Sequence, residues 1–546
     1  MKLQNGSDGI YLLYENYEAI KKESLHGTIY TLKPLNECRL EIHIPLINIQ
    51  FSWFSTSGRN TGLEPNWNGE VKIRPNINIP VISFYNQKGK NSCTVAISDC
   101  LNPINISYGV SEEDKEIIIK IIRKSQEPFS ILLDTSGEEI TDVIFSASSW
   151  VSSFYPKPVI PNESESIVYS TWYSMHQNVS QEAVEQEAKL AKKIGFESVF
   201  LDDGWQTSDN RRGYKYTGDW EFDRSKFPDP VGHVKRIHQL NLNYVVWIAL
   251  PFIGKESKIF NKFNKKLLRV NEGWGTGIVD PLDQETTDYI KERVNYLVKL
   301  GFDGLKVDFI DSIIDPDDRD DVYRKIPEFL RETLGPANGK LIEFRQRYIS
   351  PIMLQYCNMI RSADCPGDHI ENRIRSLSTR LISGIVPVHS DPLMWNSEDS
   401  MENISFAFIN VLFTVPQISV MLKEQKSENL EVLRKWIEFW KEHRLTLLHG
   451  KISVKHMELN FPTVSSIINN QKITVCYSPI PVNVDGKEEI IINSSGSNLL
   501  LESETEAVYT VKDCNFQEVG KGRLSTGLNR ISTPFCGQIY IETSKI

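Results

Sequence analysis

Two segments of the chain repeat one pattern of residue types and end in carboxylates. GFDGLKVDFIDS (301–312) and GFESVFLDDGWQ (195–206) each place an aspartate seven residues after the first glycine, at Asp308 and Asp202. Both have the apolar residues of a buried strand, yet the first carries Lys306 and Asp308 two residues apart, on one face of that strand. Buried charges need partners or a chemical role. We therefore expect both segments to reach a polar site.

A helix is predicted before each of these strands. Ser180 is a candidate N-cap for the first helix, Gly195 is its candidate stop, and Gly301 is the stop of the second. The apolar stripes of the two helices are Val184, Ala188 and Ala191, and Ile290, Val294 and Leu297. Each repeated segment is therefore predicted to be a helix-to-strand junction of a β/α fold.

Eight short apolar segments alternate with segments of helical period between residues 156 and 450. They are IVYSTW, SVFLDD, YVVWIAL, TGIVD, LKVDF, KLIEFR, NMIRSAD and IVPVHSD. Eight such units match a (β/α)8 TIM barrel, whose typical size is ~250 residues. An open, doubly wound sheet is the alternative, although no glycine-rich phosphate loop opens any of the predicted helices.

Strand-rich segments separated by turn residues flank this region on both sides. Examples are RLEIHIPLINIQFSW before it and KITVCYS after it, and the proline-rich YPKPVIPNESES marks the first boundary. The sequence predicts a multidomain chain with three parts. They are an N-terminal β-sandwich (1–155), a catalytic (β/α)8 TIM barrel (156–450) and a C-terminal antiparallel β-domain (451–546).

The composition narrows the expected partners. A net charge of −10 over 546 residues argues against a nucleic-acid or anionic-membrane surface. The eight cysteines form no CxxC pair, so free thiols are expected rather than a zinc site or a disulfide scaffold. The N-terminus lacks the pattern of a signal peptide, and no apolar run approaches the ~18 residues of a membrane span. We expect a cytoplasmic location, although a removed leader would leave the same sequence.

Polar side chains gather at the C-terminal ends of the predicted strands, where a barrel keeps its active site. They are Trp172, Asp202, Asp203, Trp247, Lys306, Asp308, Arg345, Asp364, His389 and Asp391. Carboxylates accept hydrogen bonds from vicinal hydroxyls, and indole faces cover the apolar face of a pyranose. Glycoside cleavage also needs two carboxyl groups. The set therefore predicts a sugar site with no metal and no cofactor.

Several motifs then resemble one family. STWYSM, GFESVFLDDGWQ, GDWEFDRSKFPD, YVVWIAL, GFDGLKVDF and CNMIRSAD, within residues 170–365, are similar to glycoside hydrolase family 36, the α-galactosidases, and to its clan relative family 27. The resemblance implies a retaining, exo-acting α-galactosidase. Its substrate would be a small oligosaccharide or glycoside such as melibiose or a raffinose-type sugar, and a homo-oligomer stays open.

The same resemblance assigns roles to residues. Asp308 is expected to be the nucleophile and Asp364 the acid/base, with Asp368 as the competitor for the second role. Asp364 is preferred because it lies at a strand end, where barrel catalysis takes place. The expected substrate-binding residues are Trp172, Asp202, Asp203, Trp247, Lys306, Arg345, Arg361 and His389.

One departure from the family pattern leaves the sugar open. Where the family has a cysteine and a glycine-rich loop near the sugar's 2-position, this chain has IEFRQRYISP with Arg345 and Arg347. The alternatives are α-N-acetylgalactosaminidase, α-glucosidase, β-L-arabinopyranosidase and galactosyl transfer of the raffinose-synthase type. A catalytically silent carbohydrate-binding protein and a Schiff-base barrel using Lys306 are also open. The acidic run DSIIDPDDRDD lacks the spacing of a calcium loop and is expected to be a solvated loop.

Overall fold

The computed structural model describes residues 2–5, 9–25, 27–57, 59, 61–485 and 488–542. An antiparallel sheet domain is followed by a parallel eight-stranded barrel and then by a C-terminal β-domain. This architecture confirms the predicted multidomain fold with a central TIM barrel.

The N-terminal domain is one sheet in which all ten described strands pair antiparallel. The strands are Lys2–Asn5, Tyr11–Ser24, Gly27–Pro45, Phe51–Phe54, Gly69–Ile73, Val81–Tyr85, Asn91–Ile97, Ile104–Ser111, Glu116–Arg123 and Phe129–Asp134. Helix Ile140–Ser152 packs on the sheet through Ile144, Ala147 and Val151.

The barrel contains eight short parallel strands. They are β1 Val168–Ser170, β2 Ser198–Leu201, β3 Asn243–Ala249, β4 Gly304–Asp308, β5 Leu341–Arg345, β6 Met359–Arg361, β7 Val388–His389 and β8 Gln417–Ile418. They pair in sequence order, β8 pairs with β1, and a bridge from His389 to Val415 nearly closes the ring.

The predicted set of barrel strands needs two corrections. The segment TGIVD is not a barrel strand, because Thr276–Val279 pairs antiparallel with Phe252–Gly254 and Leu267–Asn271 in a separate sheet. β3 instead pairs directly with β4. The eighth barrel strand is Gln417–Ile418, which the sequence analysis missed. A buried four-residue segment looks the same in either kind of sheet, and a two-residue strand is too short to show a period.

The helices of the barrel region are Trp172–Met175, Gln181–Ile194, Pro230–His238, Phe260–Phe263, Gln284–Lys299, Asp320–Thr333, Pro351–Leu354, His369–Arg380, Met401–Asn410 and Ser427–Glu442. Both predicted helix-to-strand junctions are confirmed. Ser180 caps its helix by accepting from the Ala183 amide, and Gly195 and Gly301 end theirs at φ values of 113° and 106°, which favour glycine.

The C-terminal domain contains two sheets. The larger contains Lys451–Lys455, Thr463–Ile468, Gln471–Cys476, Glu488–Asn493, Ala507–Lys512, Glu518–Leu524 and Gln538–Glu542. The smaller contains Pro481–Val484, Leu499–Ser503 and Gly527–Ile531. Pairing is antiparallel except for one parallel pair in each sheet.

All eight cysteines lie in the described ranges, and none is disulfide-bonded. None of the helices in those ranges is long and apolar enough to cross a membrane.

Candidate active site

The predicted catalytic carboxylates meet at the C-terminal end of the barrel. Asp308 is the last residue of β4, and Asp364 follows the end of β6. Arg345, the last residue of β5, lies between them. Its Nη1 donates to Asp308 Oδ1 at 2.8 Å, and its Nη2 donates to Asp364 Oδ2 at 2.8 Å. One guanidinium therefore spans the gap between the two carboxyl groups.

The hydrogen bonds of Asp308 leave one of its oxygens better placed to react. Oδ1 accepts from Arg345 and also from the Phe309 amide at 3.0 Å, whereas Oδ2 accepts from the Trp247 indole at 3.1 Å. Phe309 has a φ of 66°, a strained value for a residue with a bulky side chain. Each carboxylate oxygen has two lone pairs. Oδ2 thus accepts one hydrogen bond where Oδ1 accepts two, which leaves it a lone pair for reaction.

Both carboxyl groups are held in the ionised state. Burial raises the pKa of the Asp308 carboxyl, but the charges of Arg345, Lys306 and Arg361 outweigh burial and leave the pKa below its usual value. Burial also acts on Asp364, and the Arg361 and Arg345 guanidinium groups together bring the pKa of that carboxyl well below its usual range. Arg345 contributes to both effects.

Lys306 forms its direct ion pair with Asp202. Its Nζ lies 2.5 Å from Asp202 Oδ2 and does not bond Asp308, although its inward direction is as predicted. Lys306 is only 4% exposed, so this ion pair is desolvated. The repeated segments 195–206 and 301–312 are therefore joined by an ion pair between Asp202 and Lys306. In the strand register, Lys306 of β4 lies opposite Trp247 of β3.

Asp203 is held by two amide side chains. Gln177 Nε2 donates to Oδ2 at 2.7 Å, and Gln206 Nε2 donates to Oδ1 at 2.7 Å. Burial raises the pKa of Asp203 to about 6, because these hydrogen bonds offset only part of the desolvation. Asp203 therefore changes charge near neutral pH.

Arg361 lies below the pocket and joins Asp364 to another carboxylate. Its Nη1 is 2.8 Å from Asp364 Oδ1 and donates to Asp391 Oδ1 at 2.5 Å. Asp391 is fully buried, and its Oδ2 accepts from the Tyr173 hydroxyl at 2.9 Å. Asp391 was recognised as polar at a strand end, whereas Tyr173 was missed because nothing in STWYSM distinguishes it from a packing aromatic.

Two of the predicted substrate-binding residues lie apart from the carboxylates. Trp172 is half-buried at the rim after β1, with the Arg212 guanidinium 5.5 Å from its ring centre. His389 is 0% exposed, and its Nε2 lies 2.8 Å from the carbonyl oxygen of Ser164, which precedes β1. Burial lowers the pKa of His389 to about 4. The structure thus places a neutral His389 beneath the pocket.

An aromatic wall beside Asp308 was missed by the sequence analysis apart from Trp247. Tyr214 stacks on Trp247 with ring centres 6.3 Å apart and meets Phe309 at 4.8 Å. Trp274 packs 5.6 Å from Phe309 and is 40% exposed. Trp274 lies in the turn between strands Leu267–Asn271 and Thr276–Val279 of the inserted antiparallel sheet, so no strand-end rule points to it. The wall supplies an apolar surface facing the carboxylates.

Asp368, the competitor for the acid/base role, has structural partners. Its Oδ1 accepts from the Glu371 amide and so caps helix His369–Arg380. Arg59 of the N-terminal domain donates to both Asp368 oxygens, at 2.5 and 2.7 Å. These contacts favour Asp364 as the carboxyl group that faces Asp308.

The N-terminal domain also fixes the loop after β4. Asn76 Nδ2 donates to the carbonyl oxygens of Ile310 and Ile313, at 2.8 and 3.0 Å. Arg347, whose role the sequence left open, lies 3.2 Å from Asp311 in the same loop. The acidic run therefore has ion-pair partners, and no group of carboxylates and other ligands in the described ranges is arranged to hold a metal ion.

Glu343 is a buried carboxyl group below Arg345 on the inward face of β5. It is 1% exposed, accepts a hydrogen bond from Gln417 Nε2, and lies 3.8 Å from Arg361 Nε. Burial raises its pKa to about 7, with Lys306 and Arg361 only partly opposing this effect. Its charged form is therefore costly in the folded state.

We expect Glu343→Gln to stabilise the protein more at high pH than at low pH. When the pKa of a carboxyl group is higher in the folded than in the unfolded state, the free energy of unfolding of the protein falls as the pH rises from the unfolded pKa to the folded pKa. The variant should gain about 3 kcal/mol relative to wild type between pH 4 and pH 8. Guanidinium unfolding at both pH values measures this difference. The exposed Glu502→Gln is the control, and a pH-independent difference for Glu343→Gln contradicts the prediction.

Comparisons with known proteins point to glycoside hydrolases. The sequence model of the glycosyl hydrolases family 31 TIM-barrel domain matches residues 158–365. Alpha-galactosidase AgaA of Geobacillus stearothermophilus is 28% identical over 137 residues, which are 24% of this chain and 18% of that protein. Alpha-xylosidase XylQ of Lactiplantibacillus pentosus is 31% identical over 104 residues, which are 17% of this chain and 14% of that protein. The chain thus matches less than a fifth of the length of each of these two relatives.

Solved structures share the fold over almost the whole chain. The family 36 α-galactosidase AgaA of Geobacillus stearothermophilus aligns with 98% of this chain and 82% of its own, at a TM-score of 0.65 and 12% identity. The α-galactosidase TtGalA of Thermus thermophilus aligns with 80% of this chain and 94% of its own, at a TM-score of 0.57 and 17% identity. The predicted likeness to glycoside hydrolases and to family 36 is confirmed. The likeness to family 31 is new, and the link to family 27 stays a prediction.

Proposed function

We propose that this protein is a retaining, exo-acting glycoside hydrolase that releases terminal α-D-galactosyl residues from small oligosaccharides or glycosides. The observation that carries this proposal is the pair Asp308 and Asp364, which face each other across the Arg345 guanidinium at the mouth of the barrel. Retaining glycosidases need carboxyl groups ~5 Å apart, whereas inverting enzymes need room for a water molecule between them. A gap spanned by one side chain favours retention.

The contacts of each carboxyl group fit a double displacement. Asp308 is ionised and has a lone pair of Oδ2 free to attack the anomeric carbon. Asp364 gives its proton to the leaving oxygen in the first step, and in the second step takes a proton from the water that attacks C1. The configuration at C1 is inverted twice and hence retained.

Arg345 has to change partners during this cycle. The Nη2 hydrogen bond favours the ionised form of Asp364, which is the wrong form for an acid. The leaving oxygen occupies the position facing Asp364 and displaces Nη2, while Nη1 still bonds Asp308. Substrate binding thereby allows Asp364 to take up a proton from solvent, and the Nη1 bond keeps the nucleophile Asp308 charged.

The rest of the pocket suits a neutral sugar. The Lys306–Asp202 pair and Asp203 supply donors and acceptors for hydroxyl groups, and Trp247 and the aromatic wall supply an apolar face. The α-galactosidase relatives favour galactose among the α-glycosides, and an AgaA structure contains raffinose. The family 31 match and the α-xylosidase relatives make α-xylosidase activity the second candidate.

The proposed location is cytoplasmic.

Hydrolysis of a panel of nitrophenyl glycosides tests the proposal. The panel contains the α-galactoside, α-N-acetylgalactosaminide, α-glucoside, α-xyloside and β-L-arabinopyranoside. We expect the highest kcat/KM for the α-galactoside, with α-galactose as the first product in an NMR time course. A higher value for the α-xyloside favours the second candidate. If the protein cleaves none of these glycosides, the proposal of a hydrolase with this specificity is contradicted.

A further inference from the structure

We propose that Asp391 is a positioning residue for the acid/base, because it holds Arg361 and thereby limits how strongly Arg361 keeps Asp364 ionised. This inference rests on the proposed function. Asp308, Arg345, Asp364, Arg361 and Asp391 form a continuous chain of alternating charges in which every neighbouring pair lies within 2.8 Å. Asp364 occupies the middle, between two arginines that each have a second carboxylate.

The geometry at Arg361 shows a competition for one nitrogen. Its Nη1 has two protons, and it donates to Asp391 Oδ1 at 2.5 Å and to the Ser362 carbonyl oxygen at 3.0 Å. Asp364 Oδ1 is 2.8 Å from the same Nη1 in an ion pair. Asp391 and Asp364 thus share the charge of one guanidinium group, and the bond to Asp391 fixes where that group lies.

Asp391 is fixed in this position from several elements. Its Oδ2 accepts from the Tyr173 hydroxyl and from the Cys365 amide, both at 2.9 Å. Its own amide donates to Ser362 Oγ at 2.7 Å, and Asn372 Nδ2 donates to its carbonyl oxygen at 2.8 Å. A fully buried carboxylate held by side chains from three places in the chain is built for a defined geometry.

The charged and titratable groups around Asp364 and Asp391 come from β1, β4, β5 and β6 and the loops after them. They are Tyr173, Lys306, Asp308, Glu343, Arg345, Arg361 and Cys365. Once the leaving oxygen displaces Arg345 from Asp364, Arg361 stays in contact with the acid. Asp391, the second carboxylate bonded to Arg361, then influences how readily Asp364 is protonated.

Asp391→Asn removes the competing charge and leaves Asp364 as the carboxylate nearest to Arg361. The basic limb of the kcat profile reports the acid in the enzyme–substrate complex. For a substrate with a poor leaving group, we expect this limb to move to lower pH by about one unit. At pH values above the limb, kcat should then be about tenfold lower than in wild type. A dinitrophenyl glycoside, whose leaving group needs little protonation, should lose much less.

Two further variants separate this role from a structural one. Tyr173→Phe removes a hydrogen bond that favours charged Asp391, so the limb should move in the same direction by a smaller amount; this variant also serves if Asp391→Asn does not fold. Asp99→Asn is the matched control, because Asp99 is a buried carboxylate bonded to buried Arg123 at 2.6 Å in the N-terminal domain. Its profile should match wild type.

The outcomes are distinct. Wild type that cleaves neither substrate removes the proposed function, and this role with it. Wild type that cleaves both, while Asp391→Asn and Tyr173→Phe lower both rates equally and leave the basic limb in place, overturns only the role of Asp391. A shifted limb with a larger loss for the poor leaving group supports it.

Discussion

Replacing Asp308 by alanine is expected to lower kcat/KM for an α-galactoside about 10⁵-fold, the scale of losing a catalytic nucleophile. The carboxylate is kept ionised by Arg345 and positioned by Phe309 and Trp247, and within the described ranges no other carboxylate bonds the Phe309 amide or the Trp247 indole. The loss should therefore be similar for substrates with good and poor leaving groups. Steady-state kinetics on both kinds of glycoside measure it.

Azide should restore part of the activity of Asp308→Ala with a defined stereochemistry. The small anion enters the space left by the carboxylate and attacks C1 from that face, so the glycosyl azide should have the inverted configuration. Asp303→Asn is the matched control, because Asp303 lies just before β4, at its opposite end, where it bonds His238 at 2.8 Å. If Asp308→Ala retains activity, or if azide yields a retained product, Asp308 is not the nucleophile.

The local features of this fold were readable from sequence. The helices ending at Gly195 and Gly301 depend on caps and apolar stripes within a few residues, and both junctions are as predicted. The strands that follow them were recognisable because they are long enough to show an apolar run. β8 contains only Gln417–Ile418, and Thr276–Val279 is equally apolar in a different sheet. Short strands acquire their identity from partners far along the chain.

The candidate site was predictable in its residue types but not in its pairings. Strand-end position brought out Asp308, Arg345 and Asp364, because parallel strands present their last residues at one end of the barrel. That Arg345 joins the other two depends on the side-by-side arrangement of β4, β5 and β6, which no local pattern encodes. His389 also lies at a strand end, but its side chain is fully buried and bonds the Ser164 carbonyl oxygen, since the end of a two-residue strand does not fix the direction of a side chain.

Replacing Asp364 by alanine should give a loss that depends on the leaving group. General acid catalysis contributes about 10²- to 10⁴-fold, so kcat/KM for a galactoside with a sugar leaving group should fall by that factor. The value for a dinitrophenyl galactoside should change little, because its leaving group departs without a proton. The two substrates, compared in wild type and variant, measure the difference. Equal losses on both contradict an acid role for Asp364.

Asp368→Ala is the decisive companion to this variant, since Asp368 is the alternative acid/base. Its bonds to Arg59 and to the start of helix His369–Arg380 give it a structural role, so its loss should lower stability and affect both substrates alike. The product formed with azide also distinguishes the two variants. With Asp308 in place and Asp364 absent, azide attacks the glycosyl-enzyme from the face that water uses, so Asp364→Ala should form a retained azide product. If Asp368→Ala forms that product instead and Asp364→Ala does not, the acid/base is Asp368, and the arginine chain through Arg345 and Arg361 serves only to hold the loop after β6.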